Sequence, residues 1–494
     1  MKKYILIILC CLKSFPLWSY NVNMIVEHYS VDQGLPNNTV NCTLKDRDGF
    51  IWFGTWYGLC CFDGVKFKTF NKQEHDSDVP PRKIQRIVED KNGYIWVKTI
   101  DRKLYVFNKV TECFHAVYDD MKNYSENIQV IKLQNTAEGD VLLLTKDKNL
   151  LLAGVDEKGQ VTIKILFDSR NEINKHDYTL KHHVLCETEE YISWIGTDYK
   201  VAAVHKGSEL ASRPADFITS KINSGDKDSF TSFFEDGRKV WVGDRAGIFY
   251  SIDVRTGLVN RYVLSEIKGA ISNLLVTPAG YVYLSVAGQG TYEYDLAERR
   301  LQKINTEMND AMVTHAFIDQ YDKIWFHENE KALIYYDPLN HTAKRFPFTM
   351  FGKITTLYSE DAGERGLFFL SPAGEAWLFD REHAEMVYIN KLKQLSNDRA
   401  NQQFYHLMLD NDGVLWLSSA DEGVYCMNFP KKQFNLLSLS PQSVGQENYA
   451  TGVRALFQSK SGDIWVGTRW QSVYRMDRNG VTKHVFSTGD EHIG

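Results

Sequence analysis

Ten residues stand out as able to hold a ligand: Trp56 and Tyr57, Asp101 and Arg102, Asp198 and Tyr199, Asp244 and Arg245, and Arg469 and Trp470. Each pair follows a short apolar run that ends in Gly-Thr or an equivalent. Aromatic faces stack on the C–H surfaces of pyranose rings, while Arg and Asp bond hydroxyls or acidic substituents, so the chemistry these types suit is sugar recognition. The competing assignment has Trp56 and Trp470 covering sheet edges and the arginines simply solvated. Catalytic constellations are missing from the sequence: there is no His-Glu-x-x-His, no Gly-x-Ser-x-Gly and no Gly-x-x-x-x-Gly-Lys. His182 and His183 are neighbours on a strand pattern and would point to opposite faces, which is awkward for one metal ion. The expectation is a binding chain with no catalytic residue, no metal and no cofactor.

The elements that position these residues are strands. Val40, Cys42 and Leu44 alternate with more polar partners, Asp46-Arg47-Asp48-Gly49 reads as a tight turn, and Phe50-Ile51-Trp52-Phe53 is apolar on both faces. Leu59 to Phe62 and Phe67 to Phe70 follow as third and fourth strands. One unit is an antiparallel meander with large aromatics on both faces, so it needs neighbours. The sequence supplies them. The Trp52 position recurs as Trp96, Leu142, Trp194, Trp241, Tyr283, Trp325, Phe368, Trp416 and Trp465, at spacings of about 42 to about 52 residues, in or near the range of four-stranded propeller blades.

The fold class is therefore all-β, a β-propeller of four-stranded antiparallel blades. Ten copies divide as one seven-bladed ring followed by the first blades of a second. The expected boundaries are a signal peptide at 1–20, a first propeller at 21–348 and a partial second propeller of about three blades at 349–494. Met24 to Val31 is an orphan strand that could close a ring, although the seventh copy carries its own outer strand at Ala343 to Phe348, so a different copy could be the one closed. In an up-and-down blade the loop after the second strand and the entry to the next blade share one face. The ten ligand candidates ring that face. Asp46, Asp90, Asp236 and Asp410 lie in turns at the other end, where Asp caps its own backbone.

The bulk numbers agree. A net charge of −6 with no Lys/Arg run gives no field for nucleic acid. Met1-Lys2-Lys3 followed by the apolar Tyr4 to Leu12 reads as an export signal. The six cysteines beyond it, Cys42, Cys60, Cys61, Cys113, Cys186 and Cys426, lack metal spacing and read as small core residues. Asn37, Asn41, Asn123 and Asn340 head Asn-x-Ser/Thr matches.

Gly-Leu-Pro-Asn-Asn-Thr-Val, then Asp-Arg-Asp-Gly-Phe-Ile-Trp-Phe-Gly-Thr-Trp-Tyr-Gly-Leu, then Phe-Asp-Gly resembles the two-component regulator propeller repeat. It is similar to the start of hybrid two-component sensors of polysaccharide-foraging gut bacteria. The later Gly462-Asp-Ile-Trp-Val-Gly-Thr468 matches the same repeat. The resemblance implies a periplasmic sensor portion that binds an oligosaccharide and works as a homodimer, with the membrane reached only through a segment beyond this chain. It implies a histidine kinase in the full-length parent; no phosphoacceptor signature or nucleotide-binding glycine box is found here. The alternatives are a secreted propeller that serves as a protein-interaction module and a propeller lyase or glycosidase.

Overall fold

The computed structural model describes residues 25–70, 80–122, 129–169, 180–188, 190–196, 201–207, 230–236, 238–256, 258–304, 313–328, 331–351, 358–361, 366–371, 374–391, 404–428, 452–469, 472–477 and 482–487. The expected signal peptide lies outside them. The first blade pairs Val40–Lys45, Ile51–Thr55, Gly58–Phe62 and Phe67–Phe70 in that order, here called strands a to d. The same a-b-c-d meander repeats along the chain, with three strands described in the fourth blade. Successive a strands approach one another, so a is the inner strand.

The blade interior explains the repeat. Trp52 and Leu44 face the next blade, where they join Ile84, Ile95 and Phe107, whereas Phe53 faces the other way. A glycine two residues after Trp52 is a packing requirement: a Cβ on Gly54 would come within 2.5 Å of both Cys42 Sγ and Ile84 Cγ2. Gly243 stands in the same relation to Ser232 and Ile271. Strand a carries a bulge after its first residue in blade after blade, as at Val40/Cys42, Ile84/Arg86 and Ile271/Asn273. Near it, side chains reach across to the next blade: Asn41 Nδ2 donates to the Ile84 carbonyl at 2.6 Å, and Asn273 Nδ2 to that of Val313 at 2.8 Å.

The Asp turns do what their sequence suggests and one thing more. Asp46 accepts from the backbone N–H of Asp48 and Phe50 with one oxygen, and from the indole N–H of Trp52 with the other at 2.8 Å. Asp90–Trp96, Asp236–Trp241, Asp319–Trp325 and Asp410–Trp416 repeat the bond. A buried indole N–H needs an acceptor, and the capping carboxylate supplies it. Trp194 departs from the expected register. The turn before its strand, 188–191, is one residue shorter than 46–50, so Ser193 takes the Trp52 position and Trp194 faces the preceding blade with Leu142 and Phe167.

The ring does not end where the sequence suggested. Blade eight packs on blade seven through Phe369, Phe379 and Trp325, and on blade nine through Phe368, Leu370 and Tyr425. Blade nine in turn packs on blade one, Trp416 and Val424 meeting Phe53 and Phe62. Its outer strand is the orphan segment Ile25–Tyr29, paired antiparallel with Val424–Asn428. The compact unit runs through Phe429 rather than 348, and Pro430–Gly494 forms a second unit that holds the tenth blade. A seven-bladed division would have broken the packing of Trp325 against Phe369.

Closure is fastened at the Leu-Pro-Asn-Asn loop. Asn38 accepts the Gly423 N–H on its backbone carbonyl at 2.8 Å and the Val31 N–H on its side chain at 2.9 Å. Among the described residues, Cys42, Cys60, Cys61, Cys113 and Cys426 form no disulfide. Burial pushes the thiols of Cys42, Cys60 and Cys426 up to about 12, as core residues rather than nucleophiles.

Candidate ligand-binding face

The turns between strands b and c are tied to the entries of neighbouring blades by backbone bonds. Lys83 N donates to Trp56 O and Ile100 N to Lys83 O, both at 2.9 Å. Val130 N then donates to Arg102 O at 2.9 Å, and Lys146 N to Gln129 O at 2.8 Å. These bonds place the b–c turns and the d-to-a connections of blades one to three on one face, as expected. Trp56 and Tyr57 are exposed there, with Lys83 Nζ over the Trp56 ring at 5.2 Å.

Blade two makes the most developed site. Thr99 closes the turn: its hydroxyl donates to Asp101, its carbonyl accepts from Arg102 N at 2.9 Å, and its Oγ1 accepts from Lys103 N at 3.1 Å. Arg102 is held at φ +69°, the left-handed region, which is costly for a residue with a Cβ. Thr145, Asp147 and Lys148 build the same turn in blade three, with Lys148 at φ +71°. Two adjacent blades thus each hold a cation on a strained turn.

Beneath the blade-two turn lies a cavity of about 380 Å³. Asp101, Arg102, Lys103 and Gln129 supply its polar wall; Leu104, Tyr105, Val117, Tyr118 and Met121 supply the apolar one. Tyr118 and Met121 come from a four-residue helix, Tyr118–Met121, that follows strand d, with Lys122 Nζ over the Tyr118 ring at 5.0 Å. Burial works against the Asp101 charge, but the Thr99 hydroxyl and Lys103 hold its carboxyl below the usual range. On strand b of the same blade, outside the cavity lining, Lys98 is only 6% exposed. Its ammonium donates to Gln85 Oε1 at 2.8 Å and to the Ile131 carbonyl at 2.6 Å, and burial, then the Arg102 charge, push its pKa down to about 8.

Of the ten candidates, the structure brings Asp101 and Arg102 to the cavity and Trp56 and Tyr57 to the adjoining blade of the same face. Asp244 is a correction. It is 2% exposed and occupies the position of Thr99 at the end of strand b, where it caps Ala246 N and Ile248 N at 2.9 and 2.8 Å. Burial raises its pKa. Its carboxylate is a turn brace, and the adjacent Arg245 is exposed. Arg469 is exposed in the second unit; Asp198, Tyr199 and Trp470 lie outside the described residues. Lys98, Lys103, Tyr118 and Gln129 were not anticipated. Lys98 had left a trace: Trp96-Val97-Lys98-Thr99 puts lysine where Trp52-Phe53-Gly54-Thr55 has glycine.

The opposite face is bound up in structure. The carboxylates of Asp46, Asp48 and Glu89 converge, but Lys109 Nζ already sits among them at 3.1, 2.6 and 2.8 Å. Lys206, likewise the first residue after a strand c, bridges Glu138 and Glu187. These are latches between neighbouring blades.

The fold defines the class, an all-β propeller of four-stranded antiparallel blades. Residues 34–57 match the two component regulator propeller family, so the chain carries that family's repeat in its first blade. No curated protein matches the chain. Among solved structures it is similar to the extracellular domain of the hybrid two component system BT3049 of B. thetaiotaomicron, at 14% identity over 94% of this chain and 67% of that one, with a TM-score of 0.31. The corresponding domain of BT4673 from the same organism gives 18%, 93%, 61% and 0.29. The Dos1 propeller gives 11%, 81%, 94% and 0.42. The chain spans about two thirds or less of the length of the two B. thetaiotaomicron domains. Among the described residues no helix is long and apolar enough to cross a membrane.

Proposed function

We propose that this chain is the ligand-sensing portion of a two-component signalling protein, exported to the periplasm, and that it binds an oligosaccharide on the face formed by the b–c turns of blades one to three. The observation that carries the reading is the coincidence of the regulator-propeller repeat at 34–57 with a neighbouring cavity that combines an exposed tyrosine, a carboxylate and an arginine with no carboxylate partner among the described residues. Ligand would act by population shift, favouring one arrangement of the sensor across a homodimer, with the membrane segment and the histidine kinase supplied by the full-length parent. The chain itself carries out no chemistry in this reading.

Calorimetric titration of the purified chain with oligosaccharide pools from partly digested plant and host glycans tests it. Saturable binding without new reducing ends or unsaturated products is the expected result. Glycan cleavage would replace the sensor by a lyase or glycosidase, and absence of glycan binding together with capture of a purified protein partner would favour an interaction module.

A further inference from the structure

The cavity beneath the blade-two turn has an excess of positive charge, although the chain as a whole carries −6. Arg102 and Lys103 line it beside one carboxylate, Asp101, and the Lys98 ammonium, on strand b of the same blade, is near enough for the Arg102 charge to act on it. That carboxylate is already engaged: Thr99 donates to one oxygen, and Lys103 Nζ lies 3.4 Å from the other. Neither Arg102 nor Lys98 has a carboxylate partner among the described residues. An unpaired ammonium that is more than nine-tenths buried carries a desolvation cost that two neutral acceptors only partly offset. Arg102 compounds this, because the turn holds its charge close to Lys98 in a strained backbone conformation. Backbone strain at Arg102 and two cations on the cavity wall against one carboxylate that is already engaged describe, among the described residues, a site whose missing partner is an anion.

We infer that this cavity takes the acidic group of a saccharide, a uronate carboxylate or a sulfate ester, with Arg102 as its principal partner, Lys103 at the rim, and Tyr118 against the sugar ring. The inference rests on the sensor reading above and deepens it by naming the ligand class. Arg102 offers a planar fork that matches an oxyanion in two bonds, which an exposed lysine alone does not. The buried Lys98 supplies field rather than contact, so its charge favours an anion in the cavity without fixing its orientation.

The test is calorimetry on the full chain with size-matched probes: a trigalacturonate, its carboxyl-reduced counterpart, a chondroitin sulfate tetrasaccharide, its desulfated and carboxyl-reduced form, and inorganic sulfate. The acidic saccharides bind, more weakly as sodium chloride is raised, and Arg102→Gln weakens them about ten- to a hundred-fold, the worth of a hydrogen bond to a charged group. Arg102→Gly relieves the left-handed turn, so it should match or exceed the parent melting temperature while losing the same binding; this separates loss of the partner from loss of the fold.

Neutral counterparts that bind as tightly as the acids, or binding indifferent to Arg102, overturn the anion inference and leave the saccharide reading standing. Retention of inorganic sulfate through Arg102 with no saccharide bound keeps the anion site but overturns the ligand class. Silence from every probe at millimolar concentration overturns both.

Discussion

Blade one and blade ten are built from nearly the same residues and meet different surroundings. Asp48-Gly49-Phe50-Ile51-Trp52-Phe53-Gly54-Thr55 and Ser461-Gly462-Asp463-Ile464-Trp465-Val466-Gly467-Thr468 both fold into strand b of a four-stranded meander, each with a bulge at the same point of strand a. In blade one Val40 is fully buried and Trp52 is 3% exposed, because blades two and nine cover its two faces. In blade ten the equivalent strand shows Val453 at 52%, Leu456 at 70% and Phe457 at 64%. The repeat encodes the sheet; burial belongs to the neighbours. Blade ten also lacks the Asp46 type of cap. Ser459 braces its turn, and Asp463 is held by Arg475 and Lys483, which lower its pKa.

The largest test of that contrast concerns the strand that blade nine borrows and blade ten does not need. Deleting residues through Tyr29 removes Ile25–Tyr29 from the edge of blade nine, and should strip the 1–429 unit of cooperative unfolding in differential scanning calorimetry. An unchanged transition would place the closure elsewhere. Next comes Trp52→Ala, expected to cost about 3–5 kcal/mol by urea denaturation, as a buried aromatic does. Trp465→Ala should cost less, about 1 kcal/mol, since the ring is only half-buried, against Phe486 and Arg475 of its own sheet. Equal losses would erase the distinction.

Glycine sharpens the comparison further. Gly54→Ala forces its Cβ against Cys42 and Ile84 and should cost about 1–3 kcal/mol. At Gly467 the nearest atom is Ala455 Cβ at 3.3 Å, so Gly467→Ala should be much milder. Hydrogen exchange read separately over 40–70 and 452–487 distinguishes the two.

A pH slope offers a further contrast. His406 sits where blade ten has Ala455, and burial, helped by the Arg86 charge, pushes its pKa down to about 4. Between about 6.5 and about 4 the unfolded chain binds a proton that the folded ring refuses, so stability falls as pH falls through that window. His406→Phe should flatten the slope over 404–428 in pH-dependent hydrogen exchange. A slope that survives the substitution belongs to other groups.

Much of this was legible because it is local. The Asp46 turn, the alternation of Val40, Cys42 and Leu44, and the recurrence at Trp96, Trp241, Trp325 and Trp416 each depend on residues within one meander. The indole bond went unread, although the six-residue step from Asp46 to Trp52, Asp90 to Trp96 and Asp410 to Trp416 stands in the sequence. Trp194 was misread because a turn one residue shorter shifts which side chain faces which neighbour, and a shift of one residue exchanges the faces of a strand. Asp244 failed for a related reason, since its strand includes the aspartate instead of ending before it. Arg102 and Asp101 were found by position, whereas Tyr118, which follows the outer strand, reaches their cavity only through the folding of blade two.

By itself the sequence determined that the chain is a series of four-stranded antiparallel units, where each begins, and which turns face which end. Those features follow from side-chain alternation, turn chemistry and a fixed repeat. Only the tertiary structure decided that the ninth unit meets the first, that Ile25–Tyr29 completes it, and that Lys98 is enclosed beside Arg102. Ring closure depends on the accumulated angle between successive sheets, and the enclosure of Lys98 depends on blade three, whose Ile131 carbonyl its ammonium meets. Neither quantity is stored in any one repeat.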